Sequence, residues 1–386
     1  MTDIYDVIVV GAGPAGSMTA KVCAEKGLNT ILLDKELFPR EKTCGGGVSK
    51  KALDLIEENL PEDIIEGYVH GFRLYSTKMD CVELKSKELV GITSTRSQFD
   101  SFLVNIAKEK GAEFRDNSRV VDLEFTGNFV RCKLADETII EGKIVVGSDG
   151  SNGIVAKKAN IRERWNPDEI GVCVESSIKL DSDAYPKLDT NFLELYFLDV
   201  SHGYGWIFPK KHSVSIGIGV KYDKGVNQWD IFNRFYSKVC EIKEIDLKAE
   251  DIKGHVLPAG GYKRKTSGDR VILAGDAAGF VDTFTGEGIY YAMKSGKLAA
   301  DACNNAIMKG RYDAEFFHKH YDKVCETEFN KDLKRALTMS SIFYKHTDFF
   351  IKMLKSYSGE SWADLATGKR SYRGITYKFI PPVFKR

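Results

Sequence analysis

The feature that most constrains the fold is a glycine pattern, G-x-G-x-x-G, directly after the first apolar run of the chain. The run Tyr5–Val10 is short and continuous, which predicts a buried parallel strand. Gly11, Gly13 and Gly16 follow, and residues 17–26 after them predict a helix. In such a turn the first glycine allows a sharp bend and the second allows a pyrophosphate to approach the backbone. The third glycine allows the helix to pack closely, and the helix N-terminus favours phosphate charge.

An acidic residue then follows at the spacing expected for an adenine dinucleotide. A second apolar strand, residues 30–33, ends in Asp34. A carboxylate at this point of a βαβ unit bonds the hydroxyls of the adenosine ribose and disfavours a 2′-phosphate. The whole unit therefore predicts a dinucleotide site, and the alternative is a glycine-rich turn without a ligand.

Length and charge exclude several classes of protein. A chain of 386 residues suggests two or three domains at about 150 residues each. Apolar residues make up 43% and the net charge is +1, which argues against a disordered chain and against a globally basic nucleic-acid binder. We therefore expect no nucleic acid among the partners.

The cysteines and the apolar runs indicate the compartment. Eight cysteines occur and none forms a C-x-x-C pair, so we expect reduced thiols, no metal site and a cytoplasmic protein. The first apolar run is too short for a signal peptide, and no stretch reaches the length of a membrane span. Contact with a membrane would therefore be peripheral, at its inner face.

The remaining pattern predicts an α/β fold with three parts. Residues 48–66 are predicted helical with a break at Pro61, and residues 97–110 form an amphipathic helix capped by Ser97. The middle of the chain alternates apolar strands with turns, which predicts an antiparallel sheet. Its strands are expected at residues 172–180, 192–198, 204–208 and 213–220. A long helix at 288–309 and a mostly helical C-terminal segment follow.

A second motif indicates which dinucleotide binds. The predicted strand 271–274 is followed by Gly275-Asp276-Ala-Ala-Gly, and Thr285-Gly286-Glu287-Gly288-Ile289 comes after it. This pair resembles the second flavin signature of the p-hydroxybenzoate-hydroxylase-like flavoproteins. The resemblance implies FAD, with the aspartate on the ribityl chain and the following helix N-terminus facing the flavin, where it would stabilise negative charge. Arg96 and Asp149-Gly150 match two further family motifs in the same order.

A third constellation concerns the substrate. The segments are Cys44-Gly45-Gly46-Gly47 and the strand Tyr204-Gly-Trp206-Ile-Phe208-Pro. With the Gly-Glu-Gly-Ile turn, they resemble the geranylgeranyl reductase family over nearly the whole chain. That family reduces isolated double bonds of polyprenyl chains, as in archaeal membrane lipids or the chlorophyll side chain. Tyr204, Trp206 and Phe208 share one strand face and would bind the prenyl chain, whereas the alternative is that they form core.

The resemblance implies a reductase of polyprenyl lipids in which hydride passes from N5 of the reduced flavin to an alkene carbon. Cys44 is the candidate acid that protonates the neighbouring carbon, although a thiol there could equally shape the site. The alternatives are a monooxygenase or halogenase of the same scaffold, or a non-catalytic FAD-binding lipid carrier. The electron donor stays open between NAD(P)H, ferredoxin and a deazaflavin.

The predicted site and domains can be stated by residue number. The cofactor contacts implied by the resemblance are Gly11, Gly13, Ala15, Gly16, Asp34, Cys44, Gly45, Gly47, Arg96, Val120, Asp149, Asp276, Gly286, Gly288 and Ile289. The FAD-binding, Rossmann-like domain is expected at 1–67, 90–165 and 265–310, the antiparallel substrate domain at 68–89 and 166–264, and the helical region at 311–386.

The C-terminal end combines positive charge with aromatic residues. Residues 362–386 contain six cations and one acid. Because cations attract anionic headgroups by about 1 kcal/mol each, we expect peripheral membrane contact here. Lys369, Arg370 and Arg373 are the candidate phosphate contacts at the substrate entrance. The alternative is a packed tail whose charges are merely solvated.

Overall fold

The computed structural model describes residues 4–180, 188–245, 248–249, 251–354 and 360–373. The chain divides into two compact units. Unit 1 comprises Met1–Glu41, Arg96–Glu169 and Pro258–Lys334, and unit 2 comprises Lys42–Thr95, Ile170–Leu257 and Arg335–Arg386.

The strands and helices are numbered in chain order. The strands are β1 (Tyr5–Val10), β2 (Thr30–Leu33), β3 (Gly47–Ser49), β4 (Gly67–Val69), β5 (Gly71–Tyr75), β6 (Cys81–Lys85), β7 (Gly91–Thr93), β8 (Glu113–Arg115), β9 (Val120–Phe125), β10 (Val130–Leu134), β11 (Ile139–Gly147), β12 (Ile170–Lys179), β13 (Phe192–Phe197), β14 (Gly203–Pro209), β15 (Ser213–Lys221), β16 (Lys253–Pro258), β17 (Ser267–Gly268) and β18 (Val271–Leu273). The helices are α1 (Pro14–Glu25), α2 (Lys50–Leu53), α3 (Arg96–Glu109), α4 (Val155–Lys158), α5 (Gln228–Lys243), α6 (Ile289–Lys309), α7 (Ala314–Phe317), α8 (Lys323–Cys325), α9 (Lys331–Phe343), α10 (Thr347–Leu354) and α11 (Glu360–Ala366).

Unit 1 is built on a mostly parallel sheet. Its strand order is β17-β18-β11-β1-β2-β8, with β1 parallel to both β2 and β11. Val7, Ile8 and Val9 of β1 are fully buried, as expected for a central parallel strand. The hairpin β9–β10 extends the sheet from β11 by antiparallel pairing, and α1 packs against α6. The predicted α/β fold with a parallel sheet is confirmed.

Unit 2 is built on the predicted antiparallel sheet. The strand order is β16-β12-β15-β14-β13-β5-β6, and its middle strands β12, β15, β14 and β13 are the four predicted from the sequence. One pair differs from the expectation, because β5 runs parallel to β13. A smaller sheet, β3-β7-β4, is antiparallel throughout. In the part of the chain that the structure describes, no helix is long and apolar enough to cross a membrane.

The two faces of the larger sheet in unit 2 have different roles. One face carries Ile207, Ile216 and Ile218, which form a buried core with Phe232 and Phe235 of α5. Side chains alternate between the faces of a strand. The predicted substrate residues of β14 therefore lie on the face opposite this core.

The other face makes room for an indole ring. Trp206 pairs with Gly217 of β15, and a Cβ atom at Gly217 would lie 2.3 Å from the indole Cζ2 atom. At Gly219 the corresponding distance to Cζ3 of Trp206 is 3.7 Å, an ordinary van der Waals contact. The indole therefore lies over Gly217, where any larger side chain would occupy its space.

Two local predictions were wrong. Residues 48–66 do not form one helix, because Val48 pairs with Ile92 of β7 and leaves only the short helix α2 and a 3₁₀ turn at 62–64. Ser97 is not the N-cap of α3, because that helix already begins at Arg96. In both places tertiary partners decide where the helix begins or ends.

The division into two compact units shows to which unit two segments belong. Residues 42–67 lie in unit 2, together with the strands that pair with β3 and β4. Residues 311–334 lie in unit 1. Which segments serve the cofactor and which serve the substrate stays a prediction.

The indole packing gives a matched pair of stability predictions. We expect Gly217→Ala to lower the free energy of unfolding by about 1–3 kcal/mol, because the added methyl group overpacks the site. Gly219→Ala, on the same strand and face, should change it by less. Urea unfolding of the two variants checks this, and equal stabilities would contradict the packing.

Candidate functional site

The glycine turn of unit 1 has the geometry that the sequence predicts. Gly11 has φ +99°, a conformation that favours glycine. A Cβ atom at Gly16 would lie 1.8 Å from the carbonyl oxygen of Gly11, so α1 packs directly on the turn. Gly13 is the N-cap of α1 and provides no side-chain cap for the first turn of the helix. The backbone N–H groups of that turn can therefore bind an anion.

Asp34 and Ser148 make this turn suitable for a dinucleotide. Oδ2 of Asp34 accepts the Ala12 N–H at 2.7 Å and Oδ1 accepts the Glu36 N–H at 2.9 Å. Each carboxylate oxygen keeps acceptor capacity for a ribose hydroxyl. Among the described residues, the buried Oγ of Ser148 has no hydrogen-bond partner, and Ser148 lies beside Gly16. A bare helix N-terminus, an acid and an unpaired hydroxyl fit the pyrophosphate and ribose of FAD.

A series of neighbouring charged side chains connects Asp34 to Arg96. Arg96 donates to both carboxylate oxygens of Asp100 at 2.8 Å, and Arg40 donates to the same carboxylate at 3.0 Å. Arg40 also lies 3.8 Å from Asp34, and its guanidinium would be 3.6 Å from a Cβ at Gly13. The contact predicted between Arg96 and the cofactor stays a prediction. Sequence reasoning missed Arg40, whose place beside the glycine turn has no spacing signal.

Asp149, predicted to border the cofactor, has a second task in the fold. Its Oδ2 accepts the N–H of Val155 at 2.9 Å at the start of α4, and its carboxyl packs where a side chain on Gly153 would stand. Burial raises the pKa of Asp149 to about 6. The aspartate of this motif therefore shapes the loop after β11.

The second motif forms a turn that leads into a helix. Asp276 lies in the 3₁₀ turn after β18, and a Cβ at Gly288 would be 3.9 Å from its Oδ1. Gly288 is the N-cap of α6 and Ile289 is its first residue. The buried Asp282 fixes the turn before Gly286 by accepting the N–H groups of Phe284 and Thr285 at 2.8 and 3.0 Å.

Two more predicted cofactor residues lie in unit 1. Ala15 is buried in the first turn of α1. Val120 is buried at the start of β9, where it pairs with Leu134. Their contacts with the cofactor stay predictions.

The remaining predicted cofactor residues form a loop in unit 2. Gly46 has φ +80°, and a Cβ there would lie 2.2 Å from the Ser94 carbonyl oxygen and 3.3 Å from Nζ of the buried Lys210. The Gly46 N–H donates to Sγ of Cys44 at 3.4 Å. A Cβ at Gly45 would be 2.6 Å from the Phe208 ring, and one at Gly47 would be 3.3 Å from it. The structure therefore brings residues 44–46, called here the Cys44 loop, and the aromatic strand β14 together.

A buried carboxyl group joins this loop to the aromatic strand. Glu175 of β12 accepts the Cys44 N–H through Oε1 at 2.5 Å and the Ser215 hydroxyl through Oε2 at 3.1 Å. The same hydroxyl accepts the indole N–H of Trp206 at 3.0 Å. Sequence reasoning missed Glu175, because an acid within an alternating strand is usually solvated.

An aromatic row extends from the Cys44 loop along unit 2. Successive ring centroids are 5.0–6.5 Å apart, and the row runs through Phe208, Trp206, Tyr204, Phe197, Phe343, Phe350 and Phe349. Phe343 ends α9, and Phe349 and Phe350 belong to α10. Phe349 is 59% exposed, so the row reaches the surface.

The predicted phosphate contacts lie near acids. Lys369 is 2.5 Å from Glu88, and Arg370 is 2.9 Å from Asp364. Arg373 is exposed at the end of the described chain, and the cations beyond it lie outside the described residues. Phosphate binding by Lys369 and Arg370 would compete with these surface ion pairs, and all three contacts stay predictions.

The raised pKa of Asp149 predicts a pH effect on stability. The native carboxyl binds its proton more tightly than the unfolded one, whose pKa is about 3.9. Its contribution is therefore fully present below pH 4 and is lost as the pH rises through 6. The unfolding free energy of the wild type relative to Asp149→Asn should fall by about 2 kcal/mol from pH 4 to 7. Urea unfolding at equal FAD saturation measures it, and a pH-independent difference would contradict the burial.

Known proteins share both the sequence pattern and the fold. Residues 4–304 match the family described as FAD binding domain. A digeranylgeranylglycerophospholipid reductase of Methanosarcina acetivorans is 33% identical over 363 residues, covering 90% of this chain and 87% of the relative. Because the FAD binding domain match covers most of the chain, FAD is the cofactor.

Solved structures agree at the level of the fold. A geranylgeranyl bacteriochlorophyll reductase-like protein of Thermoplasma acidophilum has a TM-score of 0.83 at 23% identity, with 98% of this chain and 99% of that chain covered. The halogenase PltM, solved with phloroglucinol and FAD, has a TM-score of 0.71 at 19% identity, with 88% of this chain and 76% of that chain covered. The chain thus belongs to the digeranylgeranylglycerophospholipid reductase family of FAD-dependent oxidoreductases.

Proposed function

We propose that this protein saturates isolated double bonds in the geranylgeranyl chains of membrane phospholipids. The observation that carries the proposal is the aromatic row, which begins at the Cys44 loop and is separate from the core cluster under α5, although Trp206, Phe197 and Phe343 are themselves buried. Aromatic rings give an apolar, water-excluding surface on which a prenyl chain can lie extended. The naming of the Methanosarcina acetivorans relative as a phospholipid reductase supports the same substrate class.

The proposed roles of the flavin and of Cys44 follow from the chemistry of an isolated alkene. The glycine turn, Asp34 and Asp276 would hold FAD, which in its reduced form would supply the hydride for one alkene carbon. The other carbon needs a proton, since an alkene has no carbonyl to take up the charge. We assign this proton to the Cys44 thiol. The Gly46 N–H at the sulfur and the nearby Lys210 ammonium would stabilise the thiolate left behind.

The proposal predicts alkene reduction that depends on Cys44. Holoenzyme reduced with dithionite under anaerobic conditions should add two hydrogens per double bond to a digeranylgeranyl phospholipid. Cys44→Ala should lower kcat by about 10²-fold, the usual scale of general acid catalysis. Mass spectrometry of the extracted lipid measures the product, and Cys81→Ala, an exposed thiol of unit 2, is the matched control.

Other outcomes would replace the proposal. Oxygen consumption with an aromatic substrate, without any alkene reduction, would favour a monooxygenase or halogenase. Flavin that never turns over with any reductant would favour a lipid carrier. Equal kcat values for Cys44→Ala and the wild type would move the proton donor to another group.

A lipid substrate also requires contact with its membrane. We propose that the exposed surface of α9 and α10 makes this contact, together with the cations of 369–373. Ile342 and Phe349 are 50% and 59% exposed, and Lys345 and Lys352 are exposed beside them. Apolar side chains between cations suit the boundary of an anionic bilayer. The aromatic row connects this surface to the Cys44 loop.

Vesicle co-sedimentation tests the surface. Wild-type protein should sediment with vesicles containing phosphatidylglycerol and release at high salt, because the Debye length shortens to about 3 Å at 1 M. Ile342→Ser with Phe349→Ser should weaken sedimentation, whereas Met308→Ser, an exposed apolar residue of unit 1, should not. A triple change of Lys369, Arg370 and Arg373 to Ala tests the cations separately. If both sets of changes sediment like the wild type, neither surface binds the membrane.

A further inference from the structure

We infer that Glu175 is a positioning residue. It fixes the position of the Cys44 thiol relative to the Trp206 indole for the reaction. The inference rests on the proposed function for its kinetic consequence, but its structural consequence can be measured without any lipid. Glu175 is 7% exposed and lies on the sheet face that carries Trp206. It is therefore a buried acid on the side of the sheet opposite the apolar core.

One carboxylate oxygen of Glu175 holds the Cys44 loop. Oε1 of Glu175 accepts the backbone N–H of Cys44, and the sulfur of the same residue accepts the N–H of Gly46. Cys44 belongs to no regular element, so these bonds replace a sheet or helix ladder at this residue. Loss of the first bond would leave the N–H without its acceptor and free the loop.

The other carboxylate oxygen holds the Trp206 indole through Ser215. Oε2 accepts the Ser215 hydroxyl, and that hydroxyl accepts the indole N–H. The ring is also confined by Gly217 beneath it and by Gly45, where a Cβ would lie 3.1 Å from Nε1 of Trp206. One carboxyl group therefore fixes both the thiol-bearing loop and the ring against which that loop packs.

This connection has a consequence for the reaction. Proton transfer to an alkene carbon depends on the distance and angle between the thiol and the bound chain. If the chain lies on the Trp206 face, both partners of that transfer take their positions from Glu175. A change at Glu175 should then alter kcat, whereas a change that disturbs the indole alone should alter KM.

The test combines thiol alkylation with kinetics on the FAD-loaded enzyme. Alkylation of Cys44 by iodoacetamide, followed by peptide mass spectrometry, should be about tenfold faster in Glu175→Ala, because a buried N–H has lost its acceptor. Glu175→Gln should retain a rate close to that of the wild type, since its amide oxygen can still accept the Cys44 N–H. Ser215→Ala should leave alkylation unchanged and raise KM for the lipid with little change in kcat.

The matched control is Glu194→Gln. Glu194 is a buried acid of the same sheet on the core face, where it accepts from Tyr196 and Lys243. Its loss should lower the melting temperature without changing Cys44 alkylation or the ratio of kcat to KM. The inference would be overturned if Cys44 in Glu175→Ala were alkylated at the wild-type rate. It would also be overturned if Glu194→Gln accelerated the alkylation of Cys44 as much as Glu175→Ala does.

Two further outcomes keep the inference separate from the proposed function. If the wild type reduces no alkene, the proposed function fails, and the alkylation rates still decide the role of Glu175 in the loop. If Glu175→Ala does not fold, Ser215→Ala decides. An unchanged KM would contradict the connection from Glu175 through Ser215 to the indole, and a raised KM would support it.

Discussion

The close approach of helix α1 to its glycine turn is the constraint on which unit 1 depends. A Cβ at Gly16 would stand 1.8 Å from the Gly11 carbonyl oxygen, so the helix can take this position only without a side chain there. The first turn of α1 therefore begins directly after the C-terminal end of β1, where its N–H groups can bind an anion. Asp34 then bonds the Ala12 N–H, which ties the second strand to the same turn.

In unit 2 the corresponding constraint is a sheet with two chemically different faces. The face under α5 is an apolar core that supplies stability, and the opposite face leaves room for an indole, a thiol loop and a buried acid. Separation of the two faces lets the face opposite the core carry polar groups, because each of them finds a partner across the sheet. Glu175, Ser215 and Trp206 satisfy one another in this way.

The fold shared with a halogenase shows why the fold alone does not define the chemistry. An FAD-binding domain provides a redox centre for many reactions, and the rest of the chain must select among them. In the proposed function, a face of aromatic rings beside a thiol makes this selection. A row of rings that reaches the surface at α10 suits a long apolar substrate better than a compact aromatic one.

The sequence by itself determined the elements whose signal is local. Glycine spacing, an acid after the second strand and alternating apolar residues predicted the FAD turn, the parallel strands and the four central strands of unit 2. Only the tertiary structure decided where residues 48–66 pair, because Val48 forms a strand through a partner more than forty residues away. It also decided the places of Arg40 and Glu175. A charged side chain has the same sequence pattern whether it is solvated or buried, and only its neighbours in space distinguish the two.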